Sequence, residues 1–257
     1  HEHPELKCSA LAWFTDFVGY LPMPDGGERE ARLTADYNAE MLEHVARYPR
    51  VRDRAIFVGD PDDVVETTFG PGLPSIRAWT ERHFAFSGHI TGIDTAETGD
   101  RAALRQRFGF REDEAVCMVT VGGSAVGRSL LQRVLDATTR ARRLRPDLRF
   151  VFVTGPRIER ASLPRKPGIE VHGYVPDLHL ALAACDVAVV QGGLTTCMEL
   201  TAARVPFVYF PLHHHFEQTV HVRFRLERYA AGQPLNYSET SSDDVADAIV
   251  AALGRPT

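Results

Sequence analysis

No run of about 18 apolar side chains occurs anywhere in the 257 residues, so no segment reads as a helix able to cross a bilayer. Cysteine is scarce. Cys8, Cys117, Cys185 and Cys197 are scattered with no C-x-x-C spacing, and they read as reduced, mostly buried thiols of a cytoplasmic protein. A general excess of cations is also missing. The net charge of −5 leaves no footprint for nucleic acid, and the one basic cluster, Arg140-Ala-Arg-Arg-Leu-Arg145, reads as a solvated helix end favoured by the helix dipole. There is no repeat and no low-complexity tract. The opening His1-Glu-His-Pro is polar and is not a secretory leader, and the missing initial Met points to a fragment, a processed form or the tail of a longer protein. What is present is ordinary for a globular chain: 44% hydrophobic and 25% charged residues, with length for one large or two ordinary domains.

The second half alternates strand and helix with little slack, the pattern of βαβ units around a parallel sheet. Strands are expected near 115–121, 150–154, 169–172, 186–191, 206–210 and 235–237, and helices over 101–108, 127–144, 177–184, 195–204, 216–231 and 242–253. The expected architecture is a doubly wound parallel α/β sheet, with ligands at the carboxyl ends of its strands. The first half is less regular, with a helix over 33–51, strands over 54–59 and 84–90, and a short helix near 75–82. Thr91 to Asp100 has the composition of a linker, which places a domain boundary near residue 97.

The richest stretch is Asp186-Val-Ala-Val-Val-Gln-Gly-Gly-Leu-Thr-Thr-Cys-Met-Glu-Leu200. It reads as a buried strand, a turn at Gly192-Gly193 and a helix capped by Thr195 or Thr196. The first amides of such a helix have no intrahelical acceptor and sit at the positive end of its dipole, so they can hold a phosphate. The bland reading is a tight strand–helix connection. A second glycine turn, Gly122-Gly123-Ser124, follows the strand at 116–121 and could face the same crevice or serve packing alone. Glu199 lies one helical turn beyond Thr195, where a carboxylate could accept both ribose hydroxyls or simply support the dipole. The loop Phe210-Pro-Leu-His-His-His-Phe-Glu-Gln218 ends in an acid and an amide able to grip sugar hydroxyls. Its consecutive histidines cannot all turn to one ion, so no metal site is expected.

His172-Gly-Tyr-Val175, Gln191-Gly-Gly-Leu-Thr-Thr-Cys-Met-Glu199, Arg204-Val-Pro-Phe-Val-Tyr-Phe-Pro211 and Glu217-Gln218 together resemble the nucleotide-sugar domain of GT-B glycosyltransferases. The likeness is greatest to the branch that holds the bacterial N-acetylglucosaminyltransferase of the lipid-linked peptidoglycan precursor and antibiotic glycosyltransferases. The resemblance implies a Rossmann-like C-terminal domain over 98–257 and an incomplete α/β acceptor-side portion with linker over 1–97. It implies that Gly122, Gly123 and Ser124 approach the phosphates and that Tyr174 and Val175 frame the base. By the same likeness Gly192, Gly193, Thr195 and Thr196 hold the diphosphate, Glu199 takes the ribose, and Glu217 with Gln218 takes the sugar. The family has His where this chain has Gln191, and Asp-Gln in place of Glu217-Gln218.

The implied activity is metal-independent hexosyl transfer from a UDP- or dTDP-linked donor, with no further cofactor, to a small-molecule or lipid-linked acceptor. The implied location is the cytoplasm, with a peripheral contact to the inner face of the membrane left open. No residue is assigned as general base; Asp16, His1 and His3 are available, and Asp16 reads as a loop or capping residue. A nucleotide-sugar 2-epimerase and a non-catalytic nucleotide-sugar-binding subunit share the same seat and remain alternatives.

Overall fold

The computed structural model describes residues 10–49, 52–93, 98–122, 127–164 and 166–254. Two compact units emerge: unit 1 is His1–Ile90 with His214–Arg228, and unit 2 is Thr91–His213 with Tyr229–Thr257. The first division thus falls a few residues before the linker composition suggested, and 214–228 joins unit 1.

Unit 1 is a parallel sheet of three short strands, β1 (Ala12–Thr15), β2 (Arg54–Phe57) and β3 (Ala85–Phe86), in that order, with Trp13 opposite Ala55 and Phe57 opposite Phe86. The crossovers carry helix α1 (Gly27–Arg47) and helix α2 (Ile76–His83). α1 starts and stops earlier than expected, and β3 keeps only two residues of the strand expected over 84–90. The core gathers Val18, Phe57, Val64, Val65, Phe69, Ile76, Trp79 and Phe84, with Val220 and Phe224 of the late segment packed against it. That segment is a π-helical turn over Glu217–Val222 running on as α-helix over Arg223–Arg228, three residues short of its expected end.

Unit 2 is a six-stranded parallel sheet. Its strands are β4 (Ala115–Thr120), β5 (Leu148–Val153), β6 (Ile169–His172), β7 (Val187–Val190), β8 (Phe207–Tyr209) and β9 (Gln233–Pro234), in the order β6-β5-β4-β7-β8-β9. β9 falls two residues before its expected start and does not overlap the expected range, and β5 starts two residues early. Every residue of β4, β7 and β8 is buried, as apolar strands covered by helices on both faces must be. The helices are α3 (Arg101–Arg107), α4 (Arg128–Leu144), α5 (Leu178–Ala184), α6 (Leu194–Ala202) and α7 (Ser242–Leu253). α4 buries Leu130, Leu131, Val134, Leu135, Thr138 and Ala141, a stripe at helical spacing, on the core that also holds Phe150, Phe152 and Ile249. The doubly wound α/β class is as expected. Successive strands are added outward from β4 to β6, and the chain then returns beside β4 to add β7, β8 and β9. The reversal between β4 and β7 is the position where such sheets open a crevice.

Candidate functional site

The geometry of the crevice starts from register. Thr120, the last residue of β4, lies opposite Val190, the last residue of β7, so the two glycine turns leave adjacent strands side by side. Gly192 has φ +85, and a Cβ there would sit 3.3 Å from both the Pro211 Cα and the Tyr209 Cδ2, so backbone strain and close packing both demand glycine. Gly193 is different. Its φ of −67 and ψ of 137 suit any residue, and a Cβ would meet no atom of the described residues within 4 Å. Among the described residues nothing requires glycine there, whereas a group approaching the backbone would.

Gly193 is also the N-cap of α6, which corrects the expectation that Thr195 or Thr196 caps the helix. The helix starts at Leu194, and both threonines fall in its first turn, Thr195 exposed and Thr196 half-buried. A glycine cap offers no side-chain acceptor, so no cap hydrogen bond occupies the first amides. Their hydrogen-bonding capacity is turned outward at the carboxyl end of β7, beside two hydroxyl-bearing residues. Half-buried Gln191 leads into the turn.

Glu199 sits one turn further along α6 and is half-buried. Burial pushes its carboxyl above the ordinary glutamate range, while nearby His179 of α5 pulls the other way. His179 escaped the sequence reading. Its one signal is position, two residues after Asp177 at the start of the helix that follows the His172-Gly-Tyr-Val175 loop.

At the other glycine turn, Gly122 has φ +70, and a Cβ there would meet nothing within 4 Å among the described residues, while Gly123 and Ser124 lie outside them. Tight packing at the start of the following helix is seen at Gly127, where a Cβ would collide with Val121 at 2.2 Å. Tyr174 and Val175 follow β6, three strands from β7, or ~14 Å at ordinary strand spacing. Tyr174 is 76% exposed and Val175 half-buried.

Glu217 and Gln218 fall in unit 1, in the π-helical turn. Glu217 is half-buried, and burial followed by the nearby Asp16 carboxylate pushes its carboxyl upward. Asp16 lies in the loop after β1. Among the described residues, no group of three or more His, Cys, Asp or Glu is placed to hold a metal ion. Cys117, Cys185 and Cys197 are buried free thiols, and burial pushes Cys185 up to about 12, so it resists ionisation. No described helix is long and apolar enough to cross a membrane.

Comparison with known proteins bears on the family and the fold. The glycosyltransferase family 28 C-terminal domain matches residues 116–255. A UDP-N-acetylglucosamine–N-acetylmuramyl-(pentapeptide) pyrophosphoryl-undecaprenol N-acetylglucosamine transferase of Mycolicibacterium smegmatis is 33% identical over 76% of this chain and 50% of its own length. Its namesake in Thermobifida fusca is 32% identical over 48% of this chain and 32% of its own. An uncharacterized glycosyltransferase of Methanopyrus kandleri is 28% identical over 79% of this chain and 55% of its own. The chain therefore spans about a third to a half of these relatives.

Among solved structures, the kitacinnamycin glycosyltransferase superposes with a TM-score of 0.62 at 18% identity, over 95% of this chain and 62% of its own. The calicheamicin glycosyltransferase gives 0.58 at 16%, over 96% and 60%. These likenesses establish the fold, a mixed α/β architecture with parallel sheets similar to GT-B glycosyltransferases, and the resemblance carried by the motifs holds.

Proposed function

Because this chain belongs to the glycosyltransferase family 28 C-terminal domain family, we propose that its second unit is the donor-binding domain of a GT-B hexosyltransferase. The observation that carries the reading is Gly193: a glycine that neither backbone strain nor packing among the described residues explains, capping a helix with no side-chain cap hydrogen bond. A nucleoside diphosphate fits there. As the bond from the anomeric carbon to the β-phosphate oxygen breaks, positive charge grows on the sugar and negative charge on the diphosphate. The amides after Gly193 and the hydroxyls of Thr195 and Thr196 would stabilise that anion without a metal, as fixed donors aimed at developing charge. Gly122, with Gly123 and Ser124, would border the same phosphates from β4, and Glu199 would accept the ribose hydroxyls. Tyr174 and Val175 would frame the base, and Gln191 would flank the phosphates.

The donor we favour is UDP- or dTDP-linked, with no other cofactor. The acceptor hydroxyl must lose a proton to a base that is not assigned. A lipid-linked acceptor, with peripheral attachment at the inner face of the membrane, is supported by the pyrophosphoryl-undecaprenol in the names of the peptidoglycan relatives.

Calorimetric titration with UDP, dTDP and GDP in the presence of a chelator tests the seat. One of the three is expected to bind. Thr195→Ala/Thr196→Ala and Glu199→Ala should each weaken it by roughly tenfold or more, the loss of one charge-assisted hydrogen bond being worth about 1.5–3 kcal/mol. Absence of binding, or variants that bind as tightly as the parent, would refute the placement.

A further inference from the structure

The arginine-rich end of α4 holds two kinds of cation. Arg140 sends Nε and Nη2 to the two carboxylate oxygens of Asp247, each at 2.9 Å, and Arg145 grips Asp147 at 3.1 and 2.9 Å. Arg142 and Arg143 have no carboxylate partner among the described residues. Together with Lys166, Thr139 and Ile169 they line an open cleft of about 430 Å³.

The cleft is shaped by the turn before β6. Gly168 has φ +76, a backbone that favours glycine, and a Cβ there would come within 2.5 Å of the Arg142 Cζ, so the turn lies directly against the guanidinium. The Pro167 carbonyl then accepts from Arg142 Nη1 at 2.6 Å. The same packing leaves Arg142 Nε buried with no acceptor among the described residues. A buried donor in that state lowers stability, so the guanidinium is held in place by packing and by the Pro167 carbonyl rather than by a carboxylate.

The surrounding charge points the same way. Arg143 and Lys166 are exposed, and Lys166 is one of only two lysines in the chain, the other being Lys7. Glu170, the nearest acid along β6, is engaged elsewhere, with Arg149 Nη2 at 2.7 Å and His172 Nε2 at 3.4 Å. The carbonyl end of α4 contributes only about half a negative charge, which three cations exceed.

We infer that this cleft is a second anion site of unit 2, one that takes a phosphate ester. Planar guanidinium groups match the oxygens of a phosphate, and a third cation suits its multiple charge better than a single carboxylate. The site lies at the amino end of β6, the opposite end of the sheet from the glycine turns, so it is separate from the proposed donor seat and does not depend on it. The ester could belong to the headgroup of an anionic lipid or to a soluble metabolite.

A local probe separates these. Reductive methylation with ¹³C-formaldehyde preserves lysine charge and labels only Lys7, Lys166 and the α-amino group, and the Lys166 signal is identified by its loss in Lys166→Arg. In titrations of the whole chain with inorganic phosphate this signal is expected to move. Arg143→Gln should weaken the response roughly tenfold, the effect of losing one charge-assisted hydrogen bond. Arg140→Gln, whose guanidinium is already paired, should stay within about twofold of the parent. In parallel, the unlabelled chain and an Arg143→Gln/Lys166→Gln variant are sedimented with vesicles of phosphatidylglycerol in phosphatidylcholine. Both substituted side chains are exposed, so folding is preserved. A response to phosphate alone identifies a soluble ester, and sedimentation lost in the double variant identifies a lipid headgroup. If Lys166 stays still and the parent does not sediment, or if the variants respond like the parent, the site is overturned.

Discussion

The two parallel sheets are held by the same device at opposite ends. In unit 2, Arg105 is 6% exposed and binds the carbonyls of Ala184 and Glu114 and the Asp186 carboxylate, which in turn accepts from the Val116 amide. That cluster ties the amino ends of β4 and β7. In unit 1, Arg225 is 1% exposed and donates to the carbonyls of Val58 and Asp16, just past the carboxyl ends of β2 and β1. Its Nε lies 3.9 Å from Asp63, whose carboxylate also accepts from Arg228 Nη1 at 2.7 Å. One arginine is local to its sheet, whereas the other arrives from a segment more than a hundred residues away in the chain. The larger sheet is tied by a side chain from the helix just before it; a late helix secures the smaller one.

The strongest way to break this comparison is to remove each arginine. Arg225→Ala and Arg105→Ala should each cost their own unit about 3–5 kcal/mol, as when one member of a buried ion pair is deleted. Urea unfolding can tell them apart. Both tryptophans, Trp13 and Trp79, lie in unit 1, so their fluorescence reports that unit, while far-ultraviolet circular dichroism reports both. Arg225→Ala should shift the fluorescence midpoint and Arg105→Ala only the dichroism. A fluorescence midpoint that moves equally with both substitutions would mean that the units unfold as one.

Acid should sharpen the difference next. His221 of unit 1 is buried, with Nε2 donating to the Gly19 carbonyl at 3.2 Å, and burial pushes its imidazole down to about 4. Between the ordinary histidine value of about 6.5 and that value, the unfolded chain takes a proton that the folded chain refuses. The stability due to neutral His221 is therefore whole above about pH 6.5 and is lost as pH falls toward 4, a fall of about 3 kcal/mol. Glu217, pushed upward in the same unit, works against part of it, and in unit 2 the raised Glu199 favours folding on acidification. The fluorescence midpoint should drop faster with acid than the dichroism midpoint, and His221→Gln should flatten it. A fluorescence midpoint unchanged from pH 7 to 4.5 in the parent would contradict this.

The smallest contrast lies in two helix caps. Ser241 caps α7 in a reciprocal box, its Oγ accepting from the Asp244 amide at 3.2 Å while the Asp244 carboxylate accepts from the Ser241 amide at 2.9 Å. Ser75 caps α2 alone, accepting from the Ala78 amide at 3.3 Å. Ser241→Ala should cost about 1 kcal/mol, seen by dichroism, and Ser75→Ala less, seen by fluorescence. Equal losses would remove the distinction.

These contrasts also explain what could be read in the residues alone. Val116 to Val119 and Val187 to Val190 announce their strands because burial on both faces demands continuous apolar side chains, and Ser241 announces its helix because capping chemistry is local. β1 was harder: Phe14 is 58% exposed and the strand alternates weakly. The seat is legible as a glycine turn, but hydroxyls are the usual caps and so the residues point to a threonine, whereas glycine takes the position and offers the amides no cap side chain. The allegiance of 214–228 was illegible. Arg225 and His221 bind backbone carbonyls of Asp16, Val58 and Gly19, and a carbonyl has no residue identity to recognise. Asn38, buried between the Tyr20 and Phe69 backbones, was missed for the same reason.

The chain passes between its units three times, at 90/91, 213/214 and 228/229. Inheritance by a single exchange near residue 97 would pair one parent's Asp63 and strand ends with another parent's Arg225, Arg228 and His221. A viable hybrid must take residues 214–228 from the same parent as the first ninety. Across descendants, position 63 and positions 225 and 228 should accordingly change together, as one heritable block written in two places.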